Sequence, residues 1–305
     1  MPGQLERVIR PSTRMDQKWY SFSAFPARKP FKWPGNASVA LWVVPSVEFM
    51  ELVPAAGTFG PMPSSTDAPN VRNWSHRDYG NRVGIWRIMD VLDKHSVRAT
   101  AAVNASAAER YPLVVEESLK RGWEVMAHGE FASSWVTERL PLDDERALIA
   151  RSRDAIARVT GAPPAGWLSP GLSESTRTPG LLAEAGFTYL ADFVNDDQPF
   201  RMDVPSGRLT AVPYSIEVND EVVIVQRNRT AWEFAQTAMD HFDAIYADAQ
   251  AAGTGVVMCL PLHAYLTGQP LRIKYVDQIL THILGYDGVW PATGSEIASY
   301  HDTHC

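Results

Sequence analysis

The chain is short of several things, and each shortage removes a class of protein. It has only two cysteines, Cys259 and Cys305. Cys259 sits inside the apolar run VVMCLPL and Cys305 is the last residue, so no disulfide framework is expected and a reducing compartment suits the chain. No apolar run approaches the ~20 residues needed to span a bilayer. The start, MPGQLERVIRPSTRMDQKWY, has no apolar signal core, which predicts a cytoplasmic protein. No basic block interleaves with aromatics, and the net charge is −7 with a pI near 5.6, so neither nucleic acid nor an anionic membrane is an expected partner. Signature loops are missing too. There is no GxSxG elbow, no phosphate-cradling GxxxxGK[ST], no GxGxxG, no HExxH and no CxxC.

What is present is ample apolar material, 45% of 305 residues, arranged in alternation. Residues 1–36 form a Pro-rich, aromatic arm with Trp19, Tyr20, Phe25 and Trp33. It is too apolar to stand free in water, so it is expected to pack on its own domain or on a second copy, and a homo-oligomer is expected. Residues 37–305 are expected to form one domain. ASVALWVVPSVEF reads as a buried strand. Residues 52–79, rich in Pro, Gly, Ser and Asn, read as a long functional loop. From Gly80 onward helical and strand patterns alternate. NRVGIWRIMDVLDKH, SAAERYPLVVEESLKRG, LDDERALIARSRDAIARVTG, TRTPGLLAEAGF, TAWEFAQTAMDHFDAIYADAQAAG and LRIKYVDQILTHILGY carry helical spacing. VRATAAVNA, WEVMAHG, AGWLSP, TYLADF, TGVVMCLPLHA and GVWPAT read as strands. RLTAVPYSIEV and EVVIVQ are expected to pair as a hairpin. About seven strand–helix units with no linker predict an α/β fold, a distorted (β/α)7-type barrel with mainly parallel strands.

In such barrels the active site lies at the C-terminal strand ends. Those ends carry Glu48 with Glu51 beyond it, Asn104, His128, Ser169-Pro170-Gly171, Asp192 followed by Asn195-Asp196-Asp197, and His263. Taken singly, each reads as an ordinary cap, turn or structural residue. Their convergence is the informative feature. Two histidines and a carboxylate from three strand ends would face one cavity, as acid–base hydrolysis or a metal site requires.

Six segments in this order carry a resemblance. They are RDYGNRVGIWRIMDVLDKHSVRATAAVNA, WEVMAHG, GWLSPG, NDDQPF, VPYSIEVND and LPLHAYLTGQPLR. Over roughly residues 37–295 the chain resembles the polysaccharide deacetylases, carbohydrate esterase family 4 with the NodB-homology fold. Its pattern is most similar to the branch of metal-independent allantoinases, cyclic imide hydrolases and peptidoglycan-deacetylase-like proteins. The resemblance implies a general base at Glu48 and a general acid at His263. It also implies metal ligands at three positions, held here by Phe49, His128 and Ala132, so two of the three lack a donor. The Arg of the family's third motif is missing from Trp167-Leu168-Ser169-Pro170.

Two metal readings therefore stand: no cofactor, or one divalent metal such as zinc in a rebuilt site of Glu48, His128 and His263. Asp192, Asp196 and Asp197 are the candidates to orient His263. The expected function is a hydrolase of carbon–nitrogen bonds that opens a small cyclic imide or ureide-like substrate. Glu48 would be the base, His263 the acid, and His128 a metal ligand or oxyanion donor. Ser169 and Pro170 would contribute an oxyanion-binding backbone. Trp135, Trp167, Tyr214 and Tyr265, with Trp74, would wall the ring. A deacetylase of a small N-acetylated sugar or amine is the enzyme alternative, and a non-catalytic ligand-binding barrel is the other.

Overall fold

The computed structural model describes residues 17–53, 69 and 71–305. The first sixteen residues of the arm and most of the expected 52–79 loop lie outside them. Among the described residues nine strands form one sheet: β1 Val39–Val47, β2 Thr100–Val103, β3 Glu124–Ala127, β4 Gly166–Trp167, β5 Tyr189–Leu190, β6 Phe200–Arg201, β7 Thr210–Ala211, β8 Val256–His263 and β9 Val289–Pro291. Their order is β6-β7-β5-β4-β3-β2-β1-β8, with β9 beside the lower half of β1. All pairings are parallel except β6 with β7. The sheet curls into the half-barrel of the expected class.

Among the described residues the α-helices are α1 Val71–Tyr79, α2 Ile85–Lys94, α3 Ala105–Arg110, α4 Pro112–Lys120, α5 Leu142–Thr160, α6 Thr178–Glu184, α7 Ala231–Ala252 and α8 Ile273–Ile283, which lie between strands, and α9 Gly294–His304, which follows the last.

β1 shows why the fold closes. All nine of its residues are buried. Val39, Leu41, Val43 and Val47 join the apolar layer beneath the helices, while Ala40, Trp42 and Val44 point into the barrel interior with Met126, Leu168 and Tyr214. A strand covered on both faces must be apolar throughout, which is how the run reads in the sequence. α2 presents Ile85, Ile88, Met89 and Leu92 at helical spacing and buries all four.

Two expectations are corrected. Residues 71–79 of the expected loop form α1, which continues through a π-helical turn, Gly80–Gly84, into α2. Gly84 is required there, because a Cβ would stand 2.0 Å from the Ala264 carbonyl oxygen. The α1–α2 segment thus packs backbone to backbone against the end of β8. EVVIVQ is not a hairpin strand. It is a π-helical turn, Glu221–Gln226, that buries only Val223. Asn219 Oδ1 accepts from the amides of Glu221 and Val222 at 2.9 and 3.1 Å, which starts a helical rather than an extended course. The antiparallel partner of β7 is β6 instead.

The described part of the arm lies on its own barrel. Trp19 and Tyr20 meet Phe193 edge-on, Trp33 is 1% exposed, and its Nε1 donates to the Val256 carbonyl at 2.9 Å. The outer edge of β8 is taken by residues 197–198. Val257 N donates to Asp197 O at 2.8 Å and Gln198 Nε2 to Gly255 O at 2.7 Å. Arg28 clamps this seam through a bidentate pair with Asp196, both bonds 2.6 Å.

Candidate active site

Register brings the site together. Ser46 of β1 lies opposite His263 of the adjacent β8, so Glu48 stands two residues past that rung on the same face. His128 follows the end of β3. Asn104, fully buried, ties these ends: its Oδ1 accepts from Phe49 N at 2.9 Å and its Nδ2 donates to the His128 carbonyl. Asn81 Nδ2 holds the Glu48 carbonyl at 2.7 Å.

His128 Nδ1 faces the Leu168 carbonyl at 2.8 Å, which fixes the ring, and Nε2 stands 3.3 Å from Glu48 Oε1. His263 Nδ1 meets Asp220 Oδ1 at 2.6 Å. Asp220 Oδ2 also accepts from His263 N and Thr267 Oγ1, at 2.8 and 2.9 Å. The ring is therefore oriented by a fully buried carboxylate, and its Nε2 lies 3.5 Å from Glu221 Oε2. Arg77 reaches in from α1, with Nη2 2.9 Å from Glu221 Oε1 and Nη1 3.9 Å from Glu48 Oε2. Its guanidinium lies 4.6 Å over the Tyr265 ring, and the Tyr265 hydroxyl donates to the same Glu221 oxygen at 2.6 Å.

The electrostatics separate the two central groups. Burial works to raise the pKa of Glu48, but its hydrogen bond with His128 and the charges of His263, His128 and Arg77 outweigh that and bring it to about 2. Burial works to lower His263, and Asp220, Glu221 and Glu48 overcome it, lifting the imidazole to about 10. Near neutrality an ionised carboxylate and a protonated imidazole share one cavity of about 500 Å³.

The expected residues fall into two groups. Glu48, His128 and His263 line this cavity together, as do Ser169, Trp135 and Tyr214. Trp167 does not. It is fully buried in the layer beneath the helices, edge-on to Phe187, with Nε1 donating to Ser169 Oγ at 2.8 Å. Pro170 is buried against Gly129 and supports the loop from beneath. Tyr265 lines a narrower cleft beside the main cavity, with Arg77 and Ala132. Trp74 belongs to α1 and is absent from the residues lining either space.

None of the three expected aspartates orients His263. Asp192 accepts from Ser169 N at 2.7 Å, while Asp196 and Asp197 hold the seam near the start of β8. Sequence reasoning passed over Asp220, Glu221 and Arg77. The available signal was Asn219-Asp220-Glu221, adjacent acids after an apolar run, but the hairpin reading left Asn219-Asp220 as its turn and made Glu221 the start of a strand.

Comparison with known proteins settles the family. A sequence model described as polysaccharide deacetylase matches residues 76–190. A Schizosaccharomyces pombe protein assigned to the polysaccharide deacetylases is 30% identical over 238 residues, covering 72% of this chain and 73% of that protein. The chain belongs to the polysaccharide deacetylase family. Two solved members of this fold superpose closely. A probable polysaccharide deacetylase of Pseudomonas aeruginosa PAO1 has a TM-score of 0.80 at 25% identity, covering 92% of this chain and 97% of that one. The Puue allantoinase has a TM-score of 0.81 at 25% identity, with 92% and 96% covered. Members of the polysaccharide deacetylase family are hydrolases of carbon–nitrogen bonds other than peptide bonds, and this chain is one of them.

Family members often use a divalent metal, and of the three ligand positions that the resemblance implies, only the one at His128 offers a donor here. At the two ligand positions that the resemblance implies beside His128, Phe49 packs against Phe131 and beneath Arg110, and Ala132 offers a methyl group. In the set Glu48, His128 and His263, Nδ1 of each histidine is engaged, by Leu168 or Asp220, which leaves the Nε2 atoms, and these face Glu48 Oε1 at 3.3 Å and Glu221 Oε2 at 3.5 Å. Among the described residues no group of three or more His, Cys, Asp or Glu side chains is arranged to hold a metal ion. A zinc site of this chemistry needs three protein ligands around one point.

Proposed function

We propose that this polysaccharide deacetylase family member opens the ring of a small cyclic imide or ureide by acid–base-activated water. The observation that carries the reading is the pairing of Glu48 with His263 on adjacent strands across one cavity, the first held ionised and the second protonated. Glu48 takes a proton from water. The water oxygen bonds to the ring carbonyl carbon, whose π pair moves onto oxygen. Collapse breaks the C–N bond, and the nitrogen takes the proton of His263 Nε2. Glu48 then releases its proton to solvent and His263 regains one, so the cycle balances. His128, fixed through Nδ1 and facing Glu48 through Nε2, orients the base. The Ser169 backbone, tied to Asp192, and the faces of Trp135 and Tyr214 would receive the ring.

Two observations favour a ring over an acetylated polymer: the two metal-ligand positions without donors, and the similarity to an allantoinase over 92% of the chain. A small N-acetylated sugar or amine is the second reading, supported by the deacetylase relatives. A barrel that only binds ligand is disfavoured, since it has no use for an oriented acid–base pair. A cytoplasmic small molecule is the proposed partner. Among the described residues no helix is long and apolar enough to cross a membrane.

The test is a panel of cyclic imides, hydantoins, ureides and N-acetyl sugars. Glu48→Gln and His263→Ala should each lower turnover at least ~10²-fold with the melting curve retained, and less than additively together. Near-wild-type turnover by Glu48→Gln would refute the base assignment. For the wild type, the rate should stay level between the two pKa values. It should fall on the alkaline side as His263 loses its proton near 10, and on the acid side only far below the usual carboxylate range.

A further inference from the structure

We propose that Arg77 is a catalytic residue of this hydrolase. Its guanidinium takes the oxyanion formed on the substrate carbonyl and then the carboxylate of the product. The inference rests on the hydrolytic reading above and adds the group that carries positive charge where the metal-ligand positions have lost their donors.

Three observations converge. The first is location. Arg77 lines the main cavity with Glu48 and His263, and it also lines the narrower cleft that holds Ala132, the position where the family resemblance implies a metal-binding histidine. The loss of that imidazole leaves a methyl group on the wall the guanidinium faces. The second is rigidity. Arg77 Nη2 is held by Glu221 Oε1 at 2.9 Å and its plane lies 4.6 Å over Tyr265, whose hydroxyl closes the triangle on the same oxygen at 2.6 Å. A cation paired with Glu221 and seated over the Tyr265 ring, with those two partners bonded to each other, needs little reorganisation when charge develops, which is the condition for effective electrostatic catalysis. The third is distance. Nη1 stands 3.9 Å from Glu48 Oε2, too far for a hydrogen bond. The contact is a through-space charge pair, in a side chain only 9% exposed. An oxygen in the gap beside the base lies within reach of both groups. Arginine keeps its proton throughout, so it acts by charge and donation and leaves proton transfer to Glu48 and His263.

The chemistry yields a second readout that does not need the true substrate. When water adds to the carbonyl, the old carbonyl oxygen and the new water oxygen become the two oxygens of the product carboxylate. A cation that meets the oxyanion also meets the product. Ring opening of an imide leaves a half-amide carboxylate, and deacetylation leaves acetate. Both are simple anions that can be titrated directly.

The experiment uses the full chain, Arg77→Gln, Arg77→Lys and the double variant Arg77→Gln/Glu221→Gln, which avoids leaving Glu221 unpaired if the single variant folds poorly. Acetate and succinamate are titrated by calorimetry. At least one should bind the wild type, Arg77→Gln should weaken it ~10-fold or more, and Arg77→Lys should fall between. With any substrate from the panel, Arg77→Gln should lower kcat ~10²–10³-fold, the cost of one oxyanion donor. KM should change far less, and added guanidinium should recover part of the rate. Carboxylate binding and turnover both unchanged in folded Arg77→Gln, or no binding of either anion by the wild type, would overturn the proposal. Arg77-dependent anion binding without turnover of any panel compound would leave Arg77 standing and discard the ring-opening reading. Turnover indifferent to Arg77 would do the reverse.

Discussion

Asn104 donates from Nδ2 to the His128 carbonyl and accepts at Oδ1 from Phe49 N at 2.9 Å. A neutral side chain thereby fixes the distance between the base-bearing end of β1 and the histidine after β3. Asn104→Ala leaves a buried carbonyl and a buried amide without partners, each costing about 1–3 kcal/mol. Urea denaturation should report that loss, and kcat should fall while KM changes less, because the proposed base Glu48 and the histidine beside it drift apart. Asn104→Asp should be worse, since it sets an acceptor against the His128 carbonyl. If Asn104→Ala matches the wild type in both stability and kcat, the strut has no such role. At this scale the sequence was partly legible. Glu48, His128 and His263 are visible because strand ends can be found from apolar runs. Asp220 and Arg77 are not, because their importance comes from tertiary approach: Asp220 reaches His263 across 43 positions and Arg77 reaches Glu221 across 144.

At the scale of elements, α9 closes the end of the barrel opposite the site. Its start is a capping box between Thr293 and Glu296. The Ser295 amide donates to Glu124 Oε2 at 3.0 Å, Gly294 N to Thr100 Oγ1 at 2.9 Å, and Tyr189 Oη to Glu124 Oε1 at 3.0 Å. Glu124 is a polar rivet between β3 and this helix. Burial pushes its pKa up, and the bonds from Ser295, Tyr189 and Thr100 offset only part of that. A carboxyl with a raised folded pKa contributes stability that is complete below the unfolded value and is lost as pH rises through the folded one. The stability advantage of wild type over Glu124→Gln should therefore shrink as pH rises above ~4.5; thermal melts across pH 4–8 check this, and an advantage that grows with pH would refute it. Thr293→Ala should cost about 1 kcal/mol through the lost cap. Long helices such as α5 and α7 were legible because caps, period and Gly stops at Gly161 and Gly253 agree. The turn at Glu221–Gln226 was not. A β-branched run carries strand propensity, and a local cap from Asn219 overrode it.

The whole molecule is a curled sheet whose seam is held by a strap. Trp33 is buried and Arg28 grips Asp196 beside the residues that edge β8. Removal of residues 1–36 should lower the melting temperature by several degrees, with Trp33→Ala alone costing about 3–5 kcal/mol; an unchanged melting curve would show the strap to be ornamental. Assembly into a homo-oligomer is a separate proposal, carried by Phe22, which is 93% exposed on that arm. Size-exclusion mass of wild type against Phe22→Ser tests it, and a wild type that elutes as a monomer rejects it. Fold class was legible at this scale because strand–helix alternation follows from covered strands being apolar. The seam was not, since NDDQPF reads as a turn until its partners on β8 are known.

The pairing of β1 with β8 also has a temporal side. Residues 39–47 leave the ribosome early and residues 256–263 late. Their register is the contact that sets Glu48 beside His263. Closing so long a loop is among the slowest and entropically costliest events a chain of this kind undergoes. Partly folded chains can carry most of the helices and still lack an acid opposite the base. The proposed acid–base pair is therefore complete only once β8 has docked on β1, late in the making of the chain.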